Sequence, residues 1–293
     1  MKKFINYLMV VICVFMLGIS LVGCGEKSFN DVPWSASNKS SAEILSTLHN
    51  SKDNMEISKL QTKYKATTVF DFFDAGSFSK MQIREETSFI LQFGRETLSR
   101  ETLSQVQSSK YIDNVLTQEV TDIYVANGAI STVYRTVRSY ADGELASENK
   151  TKTSASISPQ DIYKKYIFVQ SDTLSGIVSK KFEDVDYYRL TANSNECNTL
   201  MSTFTQVDNL QQNPQMFALS NKQTDLLMGY NVEYGISDKN YITYFALSYR
   251  LENNEKSGQN SFETFLKYST SVTLEQFGQT VEFPEQPTDR DYN

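Results

Sequence analysis

The chain has 293 residues, 40% of them hydrophobic, with 18 Phe and 17 Tyr, enough for one large core. Its net charge of −7 does not suit nucleic acid, whose phosphates need Lys and Arg patches, nor a protein body lying flat on anionic lipid. Three Cys and one His exclude a disulfide framework and give little basis for an imidazole metal cluster or a His-dependent triad.

Lys2 and Lys3 form a positive start, and an apolar run follows to about Leu21, broken by Asn6, Gly18 and Ser20. Leu21-Val22-Gly23-Cys24 then leads into a polar stretch. These are the parts of a secretory signal. The tetrad resembles the lipobox of bacterial lipoproteins, in which a peptidase cuts before the cysteine and the thiol is acylated. The run is also near the roughly 20 residues a spanning helix needs, but the position of Cys24 favours lipidation over a plain anchor. The resemblance implies a signal peptide over 1–23, a lipid on Cys24, and a place on the extracytoplasmic face of the cell membrane. Removing 1–23 takes away Lys2 and Lys3 and no acid, so the net charge moves from −7 to −9. No later apolar run is long enough to span a bilayer. Cys13 leaves with the signal and Cys24 takes the lipid, so Cys197 has no partner for a disulfide.

Residues 24–39 read as a lipidated cysteine and a polar tether, and residues 40–284 as a single domain. Ser40 and Glu43 have capping-box spacing, and Ile44, Leu45 and Leu48 recur on one face, which predicts a helix over about 41–51. His49 lies beside that stripe and reads as an ordinary helix residue. From residue 63 the period becomes two, with Tyr64, Ala66, Thr68, Phe70 and Phe72 on one face of a strand. Phe78–Phe93 reads as further strand. Arg95–Ser104 is Arg-Glu-Thr-Leu-Ser written twice, a period that fits neither strand nor helix and reads as a duplication in a surface loop or short helix. Thr121–Val125 and Ala129–Tyr140 flank Asn127-Gly128, a hairpin signal, and a third strand follows Asp142-Gly143.

Ser158-Pro159 starts a second helix with Ile162, Tyr163, Tyr166 and Ile167 as its stripe. Phe182–Leu190 reads as one strand, and Asn195–Asn209 as a helix whose buried face carries Cys197, Leu200, Met201, Phe204 and Val207. Cys197 is therefore a small apolar residue rather than a reactive thiol, since Glu196 and Asn198 offer it no cationic setting. Residues 229–234 and 241–250 form a hairpin, Thr264–Leu274 alternates again, and Thr280–Phe283 reads as a last short strand. The polar tail 285–293 reads as frayed.

The Tyr-rich hairpin 229–250 and the ending from Tyr268 to Pro284 resemble the LolA-like lipoprotein-carrier superfamily, including LppX-type lipoproteins. That resemblance implies an α+β fold, a strongly curved antiparallel β-sheet forming an incomplete barrel, covered on its concave side by a few α-helices. It implies an apolar hollow for acyl chains, with Tyr64, Phe70, Phe72, Tyr134, Leu200, Met201, Phe204, Tyr230, Tyr234, Phe245 and Leu247 as candidate lining residues. Without the resemblance, the same side chains read as an ordinary core.

Phosphate loops, Cys-x-x-Cys, His-Glu-x-x-His, calcium-loop and Gly-x-Ser-x-Gly patterns are absent from the sequence. Glu85-Glu86 and the group Glu183, Asp184 and Asp186 read as solvated strand acids. No catalytic residue, metal site or cofactor is expected. The expectation is a non-enzymatic, membrane-anchored lipoprotein that binds a lipid, lipopeptide or other hydrophobic or amphipathic ligand. The alternative is a cell-envelope protein–protein interaction module with a filled core, and a carboxylate-pair hydrolase ranks third.

Overall fold

A computed structural model of the chain describes residues 28–57, 61–74, 79–92, 102–127, 130–167, 174–204, 226–257, 260–277, 281–283, 285 and 287–292. The chain divides into two compact units, Met1–Trp34 and Ser35–Asn293. The described part of the first is a single 3₁₀ turn, Phe29–Asp31, closed by the Ser28 N–H donating to Asp31 Oδ2 at 2.8 Å.

The second unit is built on one sheet of twelve strands. They are β1 (Ser35–Ala36), β2 (Gln61–Asp74), β3 (Ser79–Gln92), β4 (Thr102–Ile112), β5 (Val115–Asn127) and β6 (Ile130–Ala141). The rest are β7 (Glu144–Ala155), β8 (Gly176–Phe182), β9 (Val185–Thr191), β10 (Leu226–Ser237), β11 (Ile242–Ser257) and β12 (Asn260–Phe277). Their order is β1-β8-β9-β10-β11-β12-β2-β3-β4-β5-β6-β7, and the ladders are antiparallel. Two meanders, β8 to β12 and β2 to β7, are joined where β12 pairs with β2, Thr270 opposite Thr68.

The expected α+β incomplete barrel, strongly curved and lidded on a concave side, is not what the chain builds. The sheet is open, because β1 and β7 end it and do not pair with each other. Strand dominates, and the described residues hold three α-helices: α1 (Ser41–Ile57), α2 (Pro159–Tyr166) and α3 (Ser194–Phe204). Hairpins pair most strands with their sequence neighbours, β1–β8 and β12–β2 are the long-range ladders, and no ladder joins the two end strands to close the sheet.

Turn chemistry sets these hairpins. Asp113 and Asn114 (φ 48° and 66°) join β4 to β5, and Asp142 and Gly143 (φ 53° and 83°) join β6 to β7. Left-handed backbone at both central positions matches the twist of paired strands. Phe182–Leu190 is not one strand as expected. Glu183 (φ 53°) and Asp184 turn the chain there, and β8 pairs with β9 from Phe182↔Val185 onward. Val281–Phe283 is not strand either. Of the pentad repeat, Thr102–Ser104 open β4, and 93–101 lie outside the described residues.

Each helix is started by a reciprocal cap. Ser40 N–H donates to Glu43 Oε2 (2.7 Å) while Glu43 N–H donates to Ser40 Oγ (3.3 Å). Ser158 and Asp161 repeat the arrangement at α2, with Pro159 in the first turn. At α3 the cap is Asn193, which accepts from the N–H groups of Asn195 and Glu196.

The three helices bury their stripes against one sheet face. Ile44 and Leu48 of α1, Ile162 and Tyr163 of α2, and Cys197 and Leu200 of α3 share a core with Tyr64, Phe89, Leu190, Tyr234 and Phe245. The opposite face carries a small second cluster, Ile123, Val125 and Tyr134, covered by Leu103 and Tyr292.

Candidate ligand-binding site

Two ring contacts fix α2 to the sheet. Tyr166 stacks on Phe89 of β3 with centroids 4.6 Å apart, and Tyr163 meets the edge of Tyr64 of β2 at 6.0 Å. Tyr64 itself stacks on Phe89 at 5.1 Å and donates its hydroxyl to the Ile242 carbonyl at 3.5 Å.

Next to these contacts the core is not full. A hollow of about 470 Å³ lies between α2 and the inward positions of β12, β2, β3, β4, β5 and β6. That volume is in the range of small-molecule sites. Phe70, Ile83, Val106, Val120, Ile157 and Ile162 give it apolar walls, and Tyr124, Tyr166 and Tyr268 add rings with hydroxyls. Thr68 and Thr270 stand opposite each other, their hydroxyls bonded at 3.0 Å. Six charged residues also line it: Glu85, Asp122 and Asp161, and Lys110, Arg135 and Lys165.

Strand alternation places these charges. Glu85 follows Ile83 and precedes Thr87 and Phe89 on the inward face of β3. It stands opposite Lys110 of β4, and Lys110 stands opposite Gln118 of β5. Four residues along β5 from Gln118 is Asp122, opposite Arg135 of β6. Asp122 is buried. Arg135 Nε lies 3.3 Å from Asp122 Oδ1, yet that oxygen is buried without a hydrogen bond. Tyr124 donates to the other oxygen at 3.4 Å. Glu85 and Lys110 make no ion pair among the described residues.

Burial pushes the Asp122 carboxyl up from its ordinary range, against the pull of Arg135 and Lys165. It also raises the Tyr124 and Tyr166 phenols, and carries that of Tyr268 to about 12. The three phenols stay neutral at physiological pH, each able to donate or accept a hydrogen bond. Asp161 is held below the usual carboxylate range by its bonds to the Ser158 hydroxyl and N–H. Asp122, buried and with one oxygen lacking a hydrogen bond, costs folding free energy rather than supplying it, whereas Arg135, Asp161 and Lys165 are exposed.

Of the lining residues the sequence nominated, Phe70 faces the hollow. Tyr64, Leu200, Tyr230, Tyr234 and Phe245 are buried in the core, and Phe72 and Leu247 pack half-buried against it. Tyr134 lies on the opposite face with Ile123 and Val125. The side chains of Met201 and Phe204 lie outside the described residues. Glu85 and Glu86, read together as solvated acids, part company: Glu85 faces the hollow, while Glu86 pairs with Arg84 at 3.2 Å. Reading Asp122 and Arg135 by alternation within their strands would have put both inward, since each falls in step with apolar neighbours, Val120 and Val133.

Elsewhere, His49 is exposed on α1 and Cys197 is a buried free thiol. No group of three His, Cys, Asp or Glu able to hold a metal ion occurs among the described residues. None of the helices among the described residues is long and apolar enough to cross a membrane.

No family model matches the chain, and no curated protein does. Among solved structures, one described as "Lipid-protein interactions in lipovitellin" is similar at a TM-score of 0.35 and 9% sequence identity. The match covers 78% of this chain and 26% of that one, so this chain spans about a quarter of that structure's length.

Proposed function

We propose that the protein is a non-enzymatic binding module that takes a small amphipathic ligand in the hollow beneath α2. It works from the extracytoplasmic face of the membrane, held there by a lipid on Cys24. The observation that carries this reading is the lining: apolar walls and three neutral phenols, interrupted by charges of both signs, around about 470 Å³ of unfilled space. A filled-core docking module would have no use for such space. A carrier of bare acyl chains would have no use for inward charges.

The lipid reading of Cys24 rests on the leader, and a radiolabelled palmitate pulse tests it. The wild-type chain is expected to take up label and Cys24→Ser to lose it. The ligand reading is tested by filling the hollow. Ser108 lines it midway along β4, and Ser108→Trp puts an indole into the space. Organic extracts of the two proteins, purified in parallel, are compared by mass spectrometry. A small molecule present with wild type and missing with the variant supports the reading. Identical extracts, with a variant that folds as wild type does, overturn it.

A further inference from the structure

We infer that the hollow's ligand is a zwitterion with an apolar middle, a peptide of about three or four residues with free termini, its ammonium at Asp122 and its carboxylate at Lys110. This rests on the reading of the hollow as a ligand site and specifies its chemistry.

Four of the six lining charges lie at two poles, and the other two, Asp161 and Lys165, stand on α2, Lys165 near enough to act on the Asp122 carboxyl. Glu85 and Lys110 face each other across the β3–β4 ladder at one end. Asp122 and Arg135 face each other across β5–β6 at the other. Four residues of strand separate Gln118, the partner of Lys110, from Asp122, a distance of about 13 Å. An extended peptide of three or four residues spans about that length between its terminal charges. A phospholipid headgroup carries its ammonium and phosphate side by side and does not reach both poles.

The middle is apolar where a peptide's side chains would lie. Val106 and Val120 form the floor, and Ile162 and Tyr166 of α2 the roof. At the Asp122 pole, Oδ1 is a buried acceptor without a hydrogen bond, and the Arg135 side chain beside it is 53% exposed and not aligned to donate to it. A ligand ammonium supplies the missing donor. At the other pole, Lys110 has no ion-pair partner among the described residues, although Glu85 stands opposite. A ligand carboxylate supplies one.

The test uses the full chain in liposomes, with bare liposomes as blank, and equilibrium dialysis of radiolabelled Leu-Leu-Leu, its N-acetyl form and its C-terminal amide. Acetylation and Asp122→Asn are each expected to weaken binding about tenfold or more, and together no more than either alone. Amidation and Lys110→Gln are expected to show the same pattern at the other end. Blocked peptides that bind as well as free ones overturn the inference, and so do losses that simply add. Phosphocholine is the second probe. If it binds and the tripeptide does not, the peptide assignment falls while the amphipathic-ligand reading stands. If neither binds and the Ser108→Trp extract matches wild type, both fall.

Discussion

Tyr134 of β6 donates its hydroxyl to Asp289 Oδ1 at 2.7 Å, and this bond ties the end of the chain to the sheet face away from the helices. Lys152 of β7 meets the same carboxylate oxygen at 2.7 Å. Three residues on, the Tyr292 ring sits edge-on to Tyr134 at 5.2 Å, with its hydroxyl 3.3 Å from that of Thr136. The tail expected to fray is thus docked at Asp289 and Tyr292, and it covers the second apolar cluster.

The docking is acid-sensitive in a definite direction. Lys152 first, and then Tyr134, hold the Asp289 carboxyl below its ordinary value of 3.8. A depressed folded-state value contributes stability that is present above the unfolded value and lost as pH falls through the folded one. The tail is therefore expected to stay docked at neutral pH and to release below the usual carboxylate range. Asp289→Asn is expected to loosen it at neutral pH. Amide hydrogen exchange over 287–292 reads this out, and protection that is unchanged in the variant would contradict it.

Asp122 has the opposite sign. Its carboxyl is raised by burial, so the folded state holds the proton longer than the unfolded one. Stability then falls as pH rises through the interval above the ordinary value. Asp122→Asn is expected to melt higher than wild type at pH 7, with the gain shrinking as pH drops toward the ordinary carboxylate value. The variant keeps an acceptor for the Tyr124 hydroxyl, and Arg135 is exposed enough to stay solvated. Thermal melts across pH 3 to 8 on both proteins give the comparison. A variant less stable than wild type at neutral pH would make Asp122 a structural residue rather than a binding one.

These two carboxylates show what a sequence exposes and what it hides. Ser158-Pro159 with Asp161, and Asp142-Gly143, are local signals in which the cap or turn needs those residues, and they led directly to α2 and the β6–β7 hairpin. The β8–β9 turn uses Glu183-Asp184, without the Gly or Asn that marks a two-residue hairpin loop, so the residues on either side of it read as one strand. The hollow depends on register between β12 and β2, nearly two hundred residues apart, and on how far α2 reaches across the sheet. No local pattern encodes either. Aromatic period-two residues pointed to the core because most of them are core. The site was marked instead by charges on the inward face, where an apolar residue would have been ordinary.

Phe89 holds the roof of the hollow in place. It is fully buried, stacked on Tyr64 on one side and on Tyr166 of α2 on the other. Phe89→Ala removes both ring contacts and leaves a cavity, at a cost of about 3–5 kcal/mol. Beyond the shift in urea midpoint, α2 is expected to lose exchange protection before the rest of the core does. Uniform loss across the sheet would mean that the helix is held by something else.

Gly235 of β10 separates steric from backbone roles of glycine. It stands opposite Tyr187 of β9 and Tyr244 of β11, whose rings meet edge-on at 5.8 Å. A Cβ there would lie 2.8 Å from Tyr187 Cε1 and 2.9 Å from Tyr244 Cβ. The first contact is with the rim of a ring and the second with the root of a side chain on the neighbouring strand, so only the first can give way. Gly235→Ala is expected to cost about 1–3 kcal/mol through overpacking. In a Tyr187→Ala background the cost of Gly235→Ala is expected to shrink but not vanish, because the Tyr244 contact remains. Gly143 is the control: a Cβ meets nothing within 4 Å there, but φ is 83°. Its alanine variant is expected to cost about 1–2 kcal/mol through backbone strain, the same amount in wild type and in a Tyr187→Ala background. Urea denaturation of the five variants, Tyr187→Ala alone among them, decides it. A Gly235→Ala cost that vanishes in the Tyr187→Ala background would place the whole clash on the tyrosine ring and leave the β10–β11 spacing free to adjust.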